Sequence, residues 1–260
     1  MQEKSLRAIE KLLASANPEE VRQGLELVKR EISQVGSDQA RPLFEMVSTL
    51  FYIDPFERPD LVPILNEAIS LVVGFGRWVI PALVQKLDEV DFKAEMASAN
   101  ALGRIGADAI VPLVAEYHAS LEPARRIFIL YALSKIKSPQ IVQAASLALE
   151  AARSADRELR DTATRALGKF AESIPASQLS DEIRRGFFEQ LYKNLNDEHA
   201  GIRAKAVRSL GKLAKHGHLT TNEREKLKVA LNHLLGSDEQ FEWDRAYVVR
   251  REAEEALKYV

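Results

Sequence analysis

The chain has 260 residues, of which 46% are hydrophobic and 28% are charged, a balance that is typical of globular proteins. Its formal net charge of −2 gives no overall attraction to nucleic acid or to an anionic membrane, so either role would need a local basic patch. Because the chain contains no cysteine, disulfides, thiolate nucleophiles and cysteine-ligated metal sites are excluded.

The first 75 residues are predicted to form four helices that pair into two irregular hairpins. These helices cover residues 5–16, 18–33, 41–52 and 60–75. Terminal repeats commonly diverge because one of their sides faces water, so residues 1–75 are expected to form an N-terminal cap. In the proline-rich loop between the third and fourth helices, Phe56 is expected to pack onto the core.

Neither a secretory leader nor a membrane span is indicated. Residues 1–6 have no apolar run behind their charges and do not resemble a signal peptide. The most apolar stretch, residues 68–73, is far too short to cross a bilayer. We therefore expect a cytoplasmic protein.

From about Gly76 onwards, one helical phrase occurs five times. The five segments are residues 95–105, 126–136, 160–170, 203–213 and 250–260. Each contains a leucine that follows a small residue and precedes, by three positions, an apolar residue of the shared core. These aligned leucines, which recur every 31 to 47 residues, are Leu102, Leu133, Leu167, Leu210 and Leu257. Self-similarity at such periods predicts stacked units that bury their apolar faces only against their neighbours.

Each phrase is preceded by a second predicted helix. These partner helices cover residues 79–87, 110–118, 139–152, 181–194 and 222–235. Apolar residues recur at spacings of three and four, and no segment alternates with a period of two for long enough to predict a sheet. We therefore predict an all-α fold, a right-handed α-solenoid of stacked helical hairpins. Residues 76–260 would form five repeats that continue the cap as one solenoid.

The second helix of these units resembles that of HEAT repeats, and in particular the subgroup named after phycobilisome lyases. The resemblance is carried by an aliphatic residue and arginine at the start, by a central alanine, and by a small residue before the leucine. Examples of the first two features are Leu159-Arg160 with Ala163, Ile202-Arg203 with Ala206, and Val249-Arg250 with Ala253. The resemblance covers residues 76–260 well. It implies the fold but not the function, because such repeats occur in binding scaffolds and in a few enzymes.

An arginine stands seven positions before the aligned leucine in four units. These arginines are Arg126, Arg160, Arg203 and Arg250. The resemblance implies that each pairs with an acidic residue of a nearby inter-helix turn. The candidate acids are Glu122, Asp156, Asp197 and Asp244. One charge per repeat favours a structural brace between units over a binding site.

The chemistry of known HEAT-like enzymes is not matched. The resemblance to deoxyhypusine hydroxylases would require His-Glu pairs that bind iron, but the nearest counterpart is Arg251-Glu252 and the chain has no His-Glu dipeptide. The HEAT-like alkylpurine DNA glycosylases use a tryptophan and an acid in a basic cleft, whereas Trp78 and Trp243 are expected to pack outside the inner face. His216 and His218 are too few to bind a metal and are expected in a solvated loop. No catalytic, cofactor-binding or metal-binding residue is predicted.

The positions two before and two after each aligned leucine lie four residues apart and share one stripe of the second helix, which in HEAT-like proteins lines the concave side. They hold Asn100 and Arg104, Tyr131 and Lys135, Arg165 and Lys169, Arg208 and Lys212, and Glu255 and Tyr259. With Lys205 as an extension, the predicted stripe consists of Arg104, Tyr131, Lys135, Arg165, Lys169, Lys205, Arg208 and Lys212. The alternative interpretation is a row of solvated charges.

We predict a non-catalytic scaffold that binds an acidic segment of a protein partner on this stripe, with Tyr131 as an aromatic anchor and without a cofactor. A bilin lyase-like or chromophore-binding protein is the alternative, since the resemblance leads to it and it requires no cysteine. Nucleic-acid binding ranks third because the stripe lacks stacked aromatic residues.

Overall fold

The computed structural model describes residues 3–36, 40–88, 91–237, 239 and 242–260. Within these ranges the chain forms α-helices and short 3₁₀ turns, with no β-strand, and about 80% of it is helical. The predicted fold class, an all-α solenoid of stacked helices, is confirmed.

The α-helices are numbered in chain order. They are α1 (Glu3–Leu13), α2 (Pro18–Val35), α3 (Arg41–Ser48), α4 (Val62–Gly74), α5 (Ile80–Gln85), α6 (Phe92–Ile105), α7 (Ile110–Ala119), α8 (Pro123–Lys135), α9 (Ala145–Ala151), α10 (Arg157–Ser173), α11 (Asp181–Asn194), α12 (Ala200–Lys215), α13 (Thr221–Leu235) and α14 (Tyr247–Leu257). The chain divides into two compact units, residues 1–116 and 117–260, and the boundary between them in the sequence falls within α7. The predicted border between cap and repeats, at 75/76, lies inside the first unit, and the division into a cap and five repeats stays a prediction.

Polar residues at the helix starts fix where several helices begin. The Asn17 side chain accepts a hydrogen bond from the Glu19 amide before α2, and Asp91 accepts one from the Lys93 amide before α6. Thr220 and Glu223 form a reciprocal capping box at the start of α13. Such caps satisfy amides that have no partner inside the helix.

In the first unit, α1 packs against α2, and α4 and α5 pack against α6. Trp78 packs as predicted, stacked on Phe75 with ring centroids 5.8 Å apart, while Phe44 meets both rings edge-on. The prediction for Phe56 is wrong, because its side chain is 95% exposed. The Asp54 carboxylate accepts a hydrogen bond from the Phe56 amide and binds Lys93, and this turn leaves the phenyl ring in solvent.

In the second unit, α8, α10, α12 and α14 pack side by side in succession, and α9, α11 and α13 each pack onto the helix that follows them. The small residues of the repeated phrase are buried at each of the four second-unit repeats. They are Ala132, Ala166, Ser209 and Ala256 directly before the aligned leucines, which are themselves buried at Leu133, Leu167 and Leu210. Leu257, near the end of α14, is only half-buried.

The order small residue, leucine, glycine has a direct packing cause. A Cβ atom at Gly168 would lie 2.8 Å from the Cα atom of Ser209, and one at Gly211 would lie 3.3 Å from the Cα atom of Ala256. The glycine after one aligned leucine therefore packs against the small residue that precedes the aligned leucine of the following repeat. The Ser209 hydroxyl also donates to the Thr164 carbonyl at 2.9 Å, so the polar atom is satisfied inside this contact.

We expect Gly168→Ala to destabilise the protein by about 1–3 kcal/mol, because the added methyl group must separate α10 from α12. The gain in helix propensity, about 1 kcal/mol, offsets only part of this cost. Gly201→Ala, on α12, is the matched control because a Cβ atom there meets nothing within 4 Å. Urea denaturation of both variants checks the prediction, and a Gly168→Ala protein as stable as wild type would contradict it.

The expectation of a solvated loop is wrong for His218, which is 1% exposed. Gly217 takes a positive φ of 76° after α12, and the His218 amide donates back to the Leu213 carbonyl at 2.9 Å. This turn directs the ring inward, where Nε2 lies 2.9 Å from the Ala171 carbonyl oxygen. Burial lowers the pKa of His218, so the ring is neutral at physiological pH.

Within the described residues, no single helix has the length and apolar composition needed to cross a membrane. The bent pair Pro59–Gly74 and Arg77–Asp88 passes that test only when its two parts are taken together.

Candidate functional site

Two of the four arginines that begin the repeated helices brace neighbouring repeats. Arg160 donates from Nε to Asp197 at 2.7 Å, and Arg203 donates to both carboxylate oxygens of Asp244 at 2.6 and 2.9 Å. In both pairs the acid comes from the turn of the following unit, so the predicted brace is confirmed there. Burial alone would raise the pKa of Asp197, but hydrogen bonds from Arg160 and from the His199 amide lower it.

The other two arginines of this series bind carbonyl groups, so the predicted pairing with an acid is not seen for them among the described residues. Arg126 donates to the Ser120 carbonyl at 2.9 Å and lies 4.9 Å from the centre of the Tyr117 ring. Arg250 donates to the Asp244 carbonyl at 2.6 Å. These contacts hold the start of each helix to its own preceding turn, so the whole series has a structural role.

The residues of the predicted stripe lie in both units. Arg104 belongs to the first unit, where it donates to the side-chain oxygens of Asn66 and Ser70 on α4 at 2.6 and 3.1 Å. In the second unit, α8 carries Tyr131 and Lys135. The remaining stripe residues lie on α10 and α12, namely Arg165, Lys169, Lys205, Arg208 and Lys212.

The α10 and α12 side chains enclose a cavity of about 310 Å³, which we call the α10–α12 cleft. Its lining residues are Arg165, Lys169, Glu172, Lys205, Arg208, Ser209 and Lys212. The five cations of the predicted stripe that belong to α10 and α12 thus line one cleft. The close approach of α10 and α12 at Gly168 and Ser209 is what makes them neighbours.

Three carboxylates neutralise part of this charge. Glu172 is shared by Lys169 at 2.8 Å and Lys212 at 3.0 Å. Asp161 pairs with Lys205. Glu252 of α14 accepts two hydrogen bonds from Arg208, at 2.6 and 2.8 Å.

These carboxylates were missed because only the positions two before and two after each leucine were considered. Glu172 lies on α10 one turn after Lys169, and that spacing is a usable signal for their contact along one helix. Asp161 instead pairs with Lys205 of α12, across 44 residues of chain. Glu252 reaches Arg208 from the next repeat, a contact that spacing within one helix does not show.

Arg165 is the cleft cation with no carboxylate partner among the described residues. Its guanidinium lies 5.9 Å from the centre of the Tyr131 ring, and the Lys135 ammonium lies 4.7 Å from the same ring. Both distances are in the range of a cation–π contact. Tyr131 thus contacts Arg165 of the cleft lining and Lys135 beside the cleft, and no described acid neutralises either charge.

The cleft retains excess positive charge in a place that is partly shielded from water. Five cations line it, against Glu172 in the lining and the two flanking acids, Asp161 and Glu252. The Lys212 side chain is only 16% exposed, and burial lowers its pKa although Glu172 opposes that effect. An anion placed beside Lys212 would therefore meet a charge that water screens less than it screens a fully exposed one.

The polar groups of the cleft are mostly cations, which are suited to binding an anion. The lining consists of cations, one carboxylate and Ser209, whose hydroxyl is already bonded to the Thr164 carbonyl. Over the described part of the chain, no group of three His, Cys, Asp or Glu residues is placed to hold a metal ion. A second cavity, of about 650 Å³, lies between α2 and α4 in the first unit and has an apolar floor that includes Leu25, Leu71 and Phe75.

The sequence matches no protein-family model and no curated protein. Solved structures of helical-repeat proteins are nevertheless similar in fold. The complex of CpcE and CpcF of phycocyanin lyase from Nostoc sp. PCC7120 is 20% identical over 69% of this chain and 98% of that chain, with a TM-score of 0.54. A designed armadillo repeat protein in complex with peptide (KR)4 is 17% identical over 98% of both chains, with a TM-score of 0.55.

Kap121p bound to Nup53p gives a TM-score of 0.64 at 12% identity, covering 97% of this chain and 29% of that chain. At such identities the similarity shows the fold alone. The chain therefore has the helical-repeat fold of armadillo- and HEAT-type proteins, while the narrower phycobilisome-lyase subgroup stays a prediction.

Proposed function

We propose that this chain, which has the fold of armadillo- and HEAT-type repeat proteins, is a non-catalytic scaffold that binds an acidic segment of a protein partner in the α10–α12 cleft. The observation that carries the proposal is the surplus of cations over carboxylates inside one partly buried cavity. Arg165 and Lys135, on either side of Tyr131, extend the same surface. Complementary charge of this kind gives orientation and a high association rate.

Proteins of similar fold support a role in binding. The designed armadillo repeat protein holds a (KR)4 peptide, and Kap121p holds Nup53p. The (KR)4 peptide is basic, so the charge of the designed protein's ligand cannot be transferred to this chain. For this chain the negative charge of the proposed ligand follows from the surplus of cations in its own cleft.

A protein segment fits this surface better than a nucleic acid. Tyr131 is the single aromatic residue of the predicted stripe, and its ring face is already approached by Lys135 and Arg165. Single-stranded nucleic acid is usually held by several aromatic rings on which successive bases stack. The net charge of −2 adds no attraction outside the cleft.

A bilin-binding or lyase-like role is the second candidate, favoured by the similarity in fold to the phycocyanin lyase subunits and by the cavity between α2 and α4. Its volume of about 650 Å³ lies in the range of small-molecule sites. Co-expression with a bilin tests this role, and the purified protein should then carry visible absorbance. A colourless protein would count against it.

Reversing the charge of Arg165 and Lys135 should weaken binding of an acidic ligand. These two residues are chosen because no described carboxylate faces either of them, whereas reversal of Lys169 or Arg208 would place a new acid against Glu172 or Glu252. We expect Arg165→Glu with Lys135→Glu to weaken binding of an oligoglutamate peptide by about tenfold or more at low salt, and by less at high salt. Fluorescence anisotropy measures the affinity.

The matched control is Arg185→Glu with Lys193→Glu, which changes the net charge equally on exposed positions of α11. This control should bind as wild type, and circular dichroism should show both variants folded. Equal loss in the two variants would mean that only net charge matters. Unchanged binding in the Arg165 and Lys135 variant would refute the cleft as the site.

A further inference from the structure

The α10–α12 cleft concentrates its uncompensated charge at one point. Lys169 and Lys212 come from different helices and share the single carboxylate of Glu172. Arg165, which lines the same cavity, has no carboxylate partner among the described residues. Two positive charges are therefore left over within a cavity of about 310 Å³.

A side-chain carboxylate would satisfy only part of this arrangement. It brings one negative charge and two oxygens, so one surplus cation would remain unmatched. A phosphoryl group brings a charge of about −1.5 to −2 at neutral pH and three strong acceptor oxygens. The guanidinium fork of Arg165 and the ammonium groups of Lys169 and Lys212 are the donor types that bind such oxygens.

We infer that the α10–α12 cleft binds the phosphoryl group of a phosphorylated side chain on the protein partner. The inference rests on the proposed function and names the chemistry that the same cleft recognises. The partner's segment crosses α10 and α12 with its phosphate between Arg165, Lys169 and Lys212, and its neighbouring residues contact Tyr131 and Lys135.

The burial of Lys212 supports this assignment. Its ammonium group is mostly removed from water and lies close to Lys169, with one acid between them. Burial lowers the pKa of Lys212, and the nearby charge of Lys169 lowers it further. A bound dianion would offset both the desolvation of the Lys212 charge and its repulsion by Lys169. Without a ligand, both remain unfavourable.

The size of the cleft and the pairing at its edges favour a phosphorylated side chain over a nucleic acid. A cavity of about 310 Å³ is at the small end of ligand pockets and accepts one head group. A nucleic acid would need cations spaced along its backbone. At the edges, however, Lys205 is paired with Asp161 and Arg208 with Glu252.

Three labelled peptides that differ at one position test the inference. Their sequence is Ala-Gly-X-Gly-Ala, with serine, glutamate or phosphoserine at X, and each is titrated into the full chain at low salt. We expect the phosphoserine peptide to bind at least about tenfold more tightly than the glutamate peptide. The glutamate side chain lacks the third oxygen and the second negative charge of the phosphoryl group, and so makes fewer charge-assisted hydrogen bonds. The serine peptide should not bind.

Lowering the pH gives an independent readout. The second pKa of a phosphoserine is about 6, so its affinity should fall several-fold between about pH 7.5 and pH 5.5. The glutamate peptide stays ionised over that range and should show no such fall. Arg165→Gln should weaken the phosphoserine peptide about tenfold, while Arg185→Gln, an exposed control on α11, should leave its affinity unchanged.

Each other outcome decides against the inference in a distinguishable way. Equal affinity of the phosphoserine and glutamate peptides overturns it and leaves the proposed function standing. Failure of both these peptides and of oligoglutamate overturns the proposed function as well. Inorganic phosphate that binds as tightly as the phosphopeptide assigns the cleft to a free anion, and an oligothymidylate that binds more tightly assigns it to nucleic acid.

Discussion

Leu167→Ala is expected to reduce the free energy of unfolding by about 2–5 kcal/mol. Leu167 is fully buried on α10, the helix that packs against both α8 and α12. The substitution removes apolar contacts and leaves a cavity that the packed neighbours cannot fill, because α10 and α12 already touch at Gly168 and Ser209. Urea denaturation followed by circular dichroism measures the loss.

Leu121→Ala is the matched control. The Leu121 side chain is 84% exposed in the connection between α7 and α8, so its loss should change the stability by less than about 0.5 kcal/mol. A loss below that value for Leu167→Ala itself would show that the aligned leucines do not face the core. The register of the whole repeat would then be wrong.

Arg203→Met is expected to cost about 3 kcal/mol, since it removes one partner of a mostly buried ion pair. Arg203 binds both carboxylate oxygens of Asp244, whose side chain is 6% exposed, and also donates to the Asp197 carbonyl at 2.9 Å. Methionine keeps much of the aliphatic volume but leaves these acceptors without their donor. Thermal and urea denaturation measure the cost.

Arg7→Met is the control for an exposed pair. Arg7 Nη2 lies 2.6 Å from Glu3 Oε1, but both side chains are mostly in solvent. We therefore expect the free energy of unfolding to change by less than about 1 kcal/mol. If Arg203→Met were no worse than Arg7→Met, the arginine series would not brace the repeats.

The Arg203–Asp244 pair also predicts a pH dependence. Burial would raise the pKa of Asp244, but hydrogen bonds from Arg203 and the Ala246 amide outweigh it and hold the pKa below its ordinary value. A carboxyl group whose pKa is lowered by folding stabilises the protein above its unfolded pKa of about 3.9 and loses that effect as the pH falls through the folded value. The stability difference between wild type and Arg203→Met should therefore be constant near neutral pH and shrink below about pH 4. A difference that persists unchanged in acid would contradict this account.

The sequence by itself determined the helical repeat and the face that each repeated helix buries. Leu167 and Ala166 could be assigned to the core because side chains one turn apart share a helix face, and this periodicity is a local property. A brace at Arg160 was also predictable, since an arginine recurs at the same place in four units, but its partner Asp197 was one of four candidate acids. The glycine after Leu167 permits the close contact that α10 and α12 make at Gly168.

Only the tertiary structure decided which charges meet. The cations of α10 and α12 were visible in the sequence, but their neutralisation depends on Glu252, which approaches Arg208 from α14 across 44 residues of chain. Phe56 and His218 are two further residues whose burial could not be predicted from the sequence. An Asx turn at Asp54 leaves the apolar Phe56 in solvent, and a left-handed glycine turns the polar His218 into the core.

The physical reason is the range of the interactions. Helix periodicity and turn chemistry act over a few residues and are legible in the chain. The net charge of the α10–α12 cleft is instead a sum over side chains of three helices, and it is set by how closely those helices stack. The sequence therefore predicted a basic stripe. Packing places part of the stripe in ion pairs and leaves a surplus of positive charge among Arg165, Lys169 and Lys212.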